Sequence, residues 1–265
     1  GCRFRFQCCD RIDMSGSKRQ PPARETAPVV QKLRLRYAKR GRLRFSSHRD
    51  FQRALERALR RANLPMGYSA GFSPHPKISY ANSAPTGTAS EAEYVELGLT
   101  EPRDPAQVRI ELDAALPPGL DVVEVVEAKT GDFAARLEAS LWRIALPGVR
   151  LDQAQRAVQD FLAKSEVEVE RLTKGGLRRF DARAAVLALD VQADEDGCAI
   201  LTAIVRHVTP SVRPDDLLTA LRSGADLVPP VPAVVTRLAQ GPLAEHGNPE
   251  ITGTPMVGDP FAPDR

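Results

Sequence analysis

The chain has 265 residues, 42% hydrophobic and 27% charged, which is enough apolar sequence for a sizeable core and too much for a disordered polymer. No stretch approaches the 18 or more apolar residues of a membrane helix and no signal peptide is apparent, so the reading is a soluble, cytoplasmic protein without a membrane partner. The net charge of +3 hides an asymmetry: residues 1–62 carry 18 Lys and Arg against 5 Asp and Glu, a net of +13, while residues 63–265 carry −10.

Residues 1–29 are basic and without periodicity, a predicted disordered segment. Met14 reads as a natural start, which makes 1–13 upstream translation. Cys2, Cys8 and Cys9 lie there, and Cys198 sits in an apolar run. No Cys-x-x-Cys pair is present, so neither a metal nor a cofactor is expected on this chain.

Residues 30–128 alternate strand and helix patterns. Leu33, Leu35 and Tyr37 alternate with Lys32, Arg34 and Arg36, a half-buried strand, and a turn at 39–41 leads to a short predicted strand at Leu43–Phe45. Ser47 and Asp50 open a helix that runs to about Ala62, with Phe51, Leu55 and Leu59 as its buried stripe. Strands at Ile78–Ala81 and Glu93–Leu99 follow, then a helix capped by Asp104-Pro105 and a strand at Val122–Val126. Residues 139–239 repeat the order: strand Leu141–Leu146, helix Asp152–Ala163, strands at Val167–Leu172, Ala185–Val191 and Ile200–Val205, helix Pro214–Leu221, strand Val234–Leu238. The strand near 185–191 is one too many for a clean repeat. The predicted fold class is α+β, two tandem ferredoxin-like (β-α-β-β-α-β) units, with residues 240–265 as a disordered tail.

The first helix carries the strongest signal. Arg53, Arg57 and Arg61 recur at i, i+4 and i+8, with Arg49 and Arg60 alongside and only Glu56 nearby. Like charges at that spacing repel by a few tenths of a kcal/mol per pair, which an anionic ligand would relieve. Arg34, Arg36, Arg42 and Arg44 would extend the basic surface toward RNA or another polyphosphate; the competing reading pairs the arginines with Glu91, Glu93 or Glu96. Glu93 lies in phase with Val95, Leu97 and Leu99 and therefore needs a partner, for which the arginine helix is the obvious supplier.

Two prolines bracket His75 in the segment Tyr68–Ser79. Tyr68 and Phe72 suit stacking on a base, and His75 and Lys77 suit phosphate contact; the plain alternative is a packed loop. His48 and His75 are weak candidates for acid–base catalysis or a metal, while His207 and His246 have no evident partner. Thr86–Glu91 has neither a P-loop lysine nor a dinucleotide fingerprint. Lys174–Arg179 is a second basic turn, suited to a phosphate backbone or to a plain hairpin.

Phe45-Ser46-Ser47-His48-Arg49-Asp50, Arg57 to Pro65 and Tyr68 to Ser79, continued by Gly87, Ser90, Glu93 and Tyr94, closely resemble the radical SAM-linked protein family. The resemblance spans about 30–240 and is densest over 43–99. It implies a domain of unknown function found beside, or fused to, a radical SAM protein. The iron–sulfur cluster and S-adenosylmethionine would then belong to that partner. Arg49 stands where the family's helix is usually apolar, and no cluster motif is present, as for a free-standing member. The expectation is a non-catalytic accessory subunit that binds RNA or another anionic substrate through Arg49, Arg53, Arg57, Arg60, Arg61, Tyr68, Phe72, His75 and Lys77. Its rivals are an independent RNA-processing enzyme using His48 or His75, and a protein–protein adaptor.

Overall fold

The computed structural model describes residues 26–225, 227–244 and 256–265. Its elements in chain order are β1 (Gln31–Lys39), α1 (His48–Arg61), β2 (Ile78–Ala81), β3 (Ala89–Leu99), α2 (Pro105–Ala115), β4 (Leu120–Glu127), β5 (Ala139–Arg150), α3 (Leu151–Leu162), β6 (Glu168–Thr173), β7 (Gly176–Asp181), β8 (Val186–Ala193), β9 (Cys198–Arg206), α4 (Pro214–Ala225), β10 (Val234–Gly241), β11 (Leu243–Ala244) and β12 (Met256–Val257). The architecture is mixed α+β: one large mixed sheet and four helices.

Seven strands lie in the order β4-β1-β3-β10-β5-β9-β8, and β2 adds to β3 as the eighth. Every pairing in this sheet is antiparallel except β3 with β10. The long strand β3 makes the connection possible. Its first edge takes β1. Its second edge is divided, with β2 on residues 94–97 and β10 on Ala89 and Ser90 alone. The two parts of the chain therefore share one sheet through a parallel contact of two residue pairs.

Strand alternation decides what each face buries. Leu33, Leu35 and Tyr37 point into a core with Phe51, Leu55 and Leu59 of α1 and Val108 and Leu112 of α2. A second core lies under α3 and α4, around Ile144, Phe161, Leu201 and Leu221. The helix starts follow the chemistry of their caps. Ser47 accepts from the Asp50 backbone N–H while the Asp50 carboxylate accepts from Ser47 N–H, and Asp104 accepts from Ala106 ahead of Pro105.

Four expectations are corrected. Leu43–Phe45 belongs to a 3₁₀ turn, Gly41–Phe45, because Gly41 turns the chain with φ +54° directly after β1. The supernumerary strand is not 185–191, which pairs antiparallel with β9 across one register shift between Val186 and Ala188; the addition is the hairpin β6–β7, which stands off the main sheet. The opposite face of β1 is not a solvated polar face: Arg34 is 2% exposed. Covering it is the segment predicted as a disordered tail, whose residues 256–265 are ordered, with Phe261 fully buried between Tyr94 and Phe133. At the other end Val30, the first residue of the predicted 30–128 unit, donates to Leu99 O at 2.9 Å and so fastens its start to β3. Residues 1–25, including the start-site reading and three of the cysteines, and the segment 245–255 with His246, lie outside the described residues. Among the described residues no helix is long and apolar enough to cross a membrane.

Candidate anion-binding face

Packing of Phe51, Ala54, Leu55, Ala58 and Leu59 fixes the rotation of α1, so Arg49, Arg53, Arg57, Arg60 and Arg61 must face outward, and all five are exposed. None makes an ion pair among the described residues. The carboxylates that would have neutralised them are engaged elsewhere. Glu91 pairs with Arg40, Glu96 with Lys32 at 2.9 Å and Arg34 at 3.0 Å, and Glu93 with Arg237. The pairing of the helix with Glu91, Glu93 or Glu96 does not occur, and the supplier for Glu93 comes from β10 rather than from α1. Arg34 also leaves the basic surface, bonded to Asp264 and Thr130. Of its neighbours, Arg44 lies over the Phe45 ring at 4.8 Å, Arg36 sits against Tyr94, and Arg42 stays exposed.

The 68–77 loop is closed at its neck. Ser69 N–H donates to His75 O at 2.9 Å, His75 N–H donates to Ser69 Oγ at 3.0 Å, and Lys77 N–H donates to Gly67 O at 2.7 Å. The neck holds Tyr68, His75 and Lys77 in place, all exposed, and thrusts Phe72 into solvent at 80% exposure. A hollow of about 130 Å³ brings Arg60 and Glu56 of α1 together with Tyr68, Pro74 and His75. Lys77 lies on the other side of His75, in a shallow depression with Lys32 and Ser79. The two candidate histidines are not assembled into one site. His48 stands at the first turn of α1, held by Gln52 at 3.0 Å and Ser83 at 3.2 Å and edge-on to Tyr80. His75 packs against the last turn, and a fourteen-residue helix is about 20 Å long.

Sequence reasoning missed the polar joint where β3 meets β10. Arg237 is 3% exposed and gives its donors to Glu93, to Asn82 O at 2.7 Å and to Ser90 Oγ at 3.3 Å. Glu93 also accepts from Ala84 N–H at 3.1 Å. Beside it, burial pushes the Lys39 ammonium down and the Tyr37 hydroxyl up from their ordinary pKa values. His207, expected to lack a partner, has three: Nδ1 lies 2.6 Å from Leu137 O and 3.2 Å from the Asn82 side-chain amide, and Nε2 lies 2.7 Å from Ser140 Oγ. A carbonyl only accepts, so Nδ1 carries the proton, and neutral His207 accepts from the Ser140 hydroxyl at Nε2. Burial lowers the His207 pKa. The signal for this site was present only as Glu93 on an apolar strand face. The basic turn Lys174–Arg179 closes the β6–β7 hairpin, with Thr173 Oγ1 donating to Gly176 O at 2.8 Å and Arg179 paired with Glu170 at 2.6 Å. Among the described residues no group of three or more His, Cys, Asp or Glu side chains could hold a metal ion.

The chain belongs to a family described as an uncharacterized protein conserved in bacteria (DUF2344), which it matches over residues 32–214. None of the curated proteins matches it. A solved structure described as a glycine cleavage system transcriptional repressor is 10% identical, with 77% of this chain and 95% of that chain covered and a TM-score of 0.22. That likeness carries no argument.

Proposed function

We propose that this member of the family is a non-catalytic accessory protein that presents RNA, or a similar polyanion, to a partner radical SAM enzyme. The partner would hold the iron–sulfur cluster and S-adenosylmethionine, so the radical chemistry would be the partner's. The observation that carries the anion-binding reading is the state of α1: five outward arginines with no ion pair among the described residues, against only Asp50 and Glu56 on the same helix, while Glu91, Glu93 and Glu96 are committed elsewhere. Arg60 meets Tyr68 and His75 in one hollow, which sets a cation beside an aromatic ring as single-stranded nucleic acid requires. The accessory role and the partner rest on the resemblance of the 45–94 motifs. The scaffold is read as two ferredoxin-like units, 30–128 and 139–239. The strand orders β4-β1-β3-β2 and β10-β5-β9-β8 support this, each being fourth, first, third, second by position within its half once the separate β6–β7 hairpin is set aside.

The test is fluorescence polarisation with a labelled single-stranded RNA at several salt concentrations. Four neutralised phosphates give a slope of log K against log salt of roughly −3. Arg53→Glu with Arg57→Glu should weaken binding at least tenfold and flatten that slope. Affinity independent of salt, or unchanged in the double variant, overturns the RNA reading. If RNA never binds and the same variant loses its partner on co-purification from native cells, the arginine face is a protein-docking surface instead.

A further inference from the structure

A cleft of about 520 Å³ opens where the two parts of the sheet meet. It exists because β3 and β10 run together for only two residue pairs, which leaves the loop at 82–88 facing the β9–α4 connection across a gap. Arg206 and Arg213 stand on its wall, both exposed and both without an ion pair among the described residues. No Asp or Glu lines it. Of the carboxylates close to it in the fold, Glu93 is paired with Arg237 and Asp216 with Arg171 at 2.7 Å, while Asp215 lies outside the lining. Hydroxyls of Ser83, Thr86, Thr209 and Ser211 ring the opening, and Trp142 supplies an apolar wall beneath the Arg237 guanidinium, 5.5 Å from the ring centroid.

We propose that this cleft binds a phosphate monoester with an organic body of nucleotide size. Two free guanidinium forks suit a dianionic phosphoryl group better than the single charge of a carboxylate, and a phosphate monoester carries close to two charges at neutral pH. The volume lies within the range of small-molecule sites, and the mixture of hydroxyls with one aromatic wall fits a sugar and a ring rather than a bare inorganic ion. Arg237 is held in place by Glu93, Asn82 and Ser90, so its part is to keep the floor rigid. No residue of α1 lines the cleft, and Ser83 on its rim is linked to that helix by a hydrogen bond with His48 at 3.2 Å.

Trp142 is the chain's single tryptophan and therefore reports on this wall alone. Its fluorescence, with calorimetry in parallel, is titrated with adenosine 5′-monophosphate, uridine 5′-monophosphate, adenosine and inorganic phosphate on the full chain. The expected result is saturable binding of at least one mononucleotide, weaker binding of adenosine, and at least a tenfold loss in Arg206→Gln with Arg213→Gln. Both arginines are exposed, so that variant keeps its fold. Arg53→Glu with Arg57→Glu should bind the mononucleotide as the unaltered chain does, even where it has lost RNA. No saturable response to either mononucleotide up to millimolar concentration overturns the proposal. Adenosine binding as well as its monophosphate, inorganic phosphate binding where neither nucleotide does, or loss on the α1 substitutions does so equally.

Discussion

Asp264 shows how much one side chain can control. Its carboxylate is fully buried and accepts from Thr130 Oγ1 at 2.7 Å, from Arg34 at 2.5 Å, from Arg136 at 3.0 Å and from the backbone N–H groups of Lys129 and Thr130. Burial alone would raise its pKa; the Thr130 hydroxyl and the two guanidiniums outweigh burial and hold it at about 2. A carboxylate more acidic in the folded state than in the unfolded chain stabilises above the unfolded value near pH 4 and loses that contribution as pH falls toward 2. At about 1.4 kcal/mol per pKa unit this is on the order of 2 kcal/mol. Urea midpoints measured from pH 5 to pH 2 should fall steeply, and Asp264→Asn should flatten that fall. His207 acts in a separate window. Burial makes it harder to protonate when folded, so below about pH 6.5 the unfolded chain takes up the proton first and stability declines. His207→Gln should remove the slope just below 6.5 and leave the acid slope unchanged. At Glu93 the sequence was partly legible. A carboxylate in phase with Val95, Leu97 and Leu99 demanded a cation, but Arg237 lies 144 positions later on another strand, and spacing carries no information across that distance.

At the scale of elements, legibility follows the strength of the local rule. The capping box of α1 and the Asp104-Pro105 start of α2 are local chemistry, and both stand where the sequence places them. Leu43–Phe45 offers three alternating residues, too few to separate a strand from a 3₁₀ turn. Strand β6 is legible as Val167–Leu172 and the turn after it as a hairpin, but β7 escaped because its residues are exposed apart from Phe180 and Asp181, leaving no apolar alternation to read. The arginine face was visible as a pattern, whereas its freedom from carboxylates was decided by strands outside it. Two variants probe α1. Ser47→Ala removes the N-cap acceptor and should cost about 1 kcal/mol in urea unfolding, with RNA affinity little changed. Arg57→Glu creates opposite-charge neighbours for Arg53 and Arg61 at i±4, so it should stabilise the fold by a few tenths of a kcal/mol while weakening RNA binding. A face built for internal stability would respond the other way, with stability falling.

The whole molecule is held across its middle by little regular structure. Two residue pairs join β3 to β10, the Glu93–Arg237 joint lies beside them, and the C-terminal segment crosses over both. β12 pairs with β11, which follows β10; Phe261 then wedges between Tyr94 of β3 and Phe133, and Asp264 closes on Arg34 of β1. No periodicity marks such a strap in the sequence, since one phenylalanine and one aspartate act through distant partners. It sheathes an arginine on the first part of the sheet with residues that arrive from the second. Removing 258–265 would expose the Tyr94–Phe133 surface and leave Arg34 with Glu96 and Thr130 alone. Loss of one partner from a buried pair costs about 3–5 kcal/mol, and loss of a buried phenylalanine a similar amount. The penalty should fall on the first part, because Trp142 and the α3–α4 core do not touch the strap's buried residues. Urea unfolding followed by Trp142 fluorescence reports the second part, and far-UV circular dichroism reports both. In the truncated chain the dichroism should begin to fall at lower urea than the Trp142 signal, with midpoints further apart than in the intact chain. Coincident transitions at an unchanged midpoint would mean that the sheet contact and the Glu93–Arg237 joint couple the two parts without the strap. Phe261→Ala and Asp264→Asn, made singly, then apportion the loss between the apolar wedge and the buried charge.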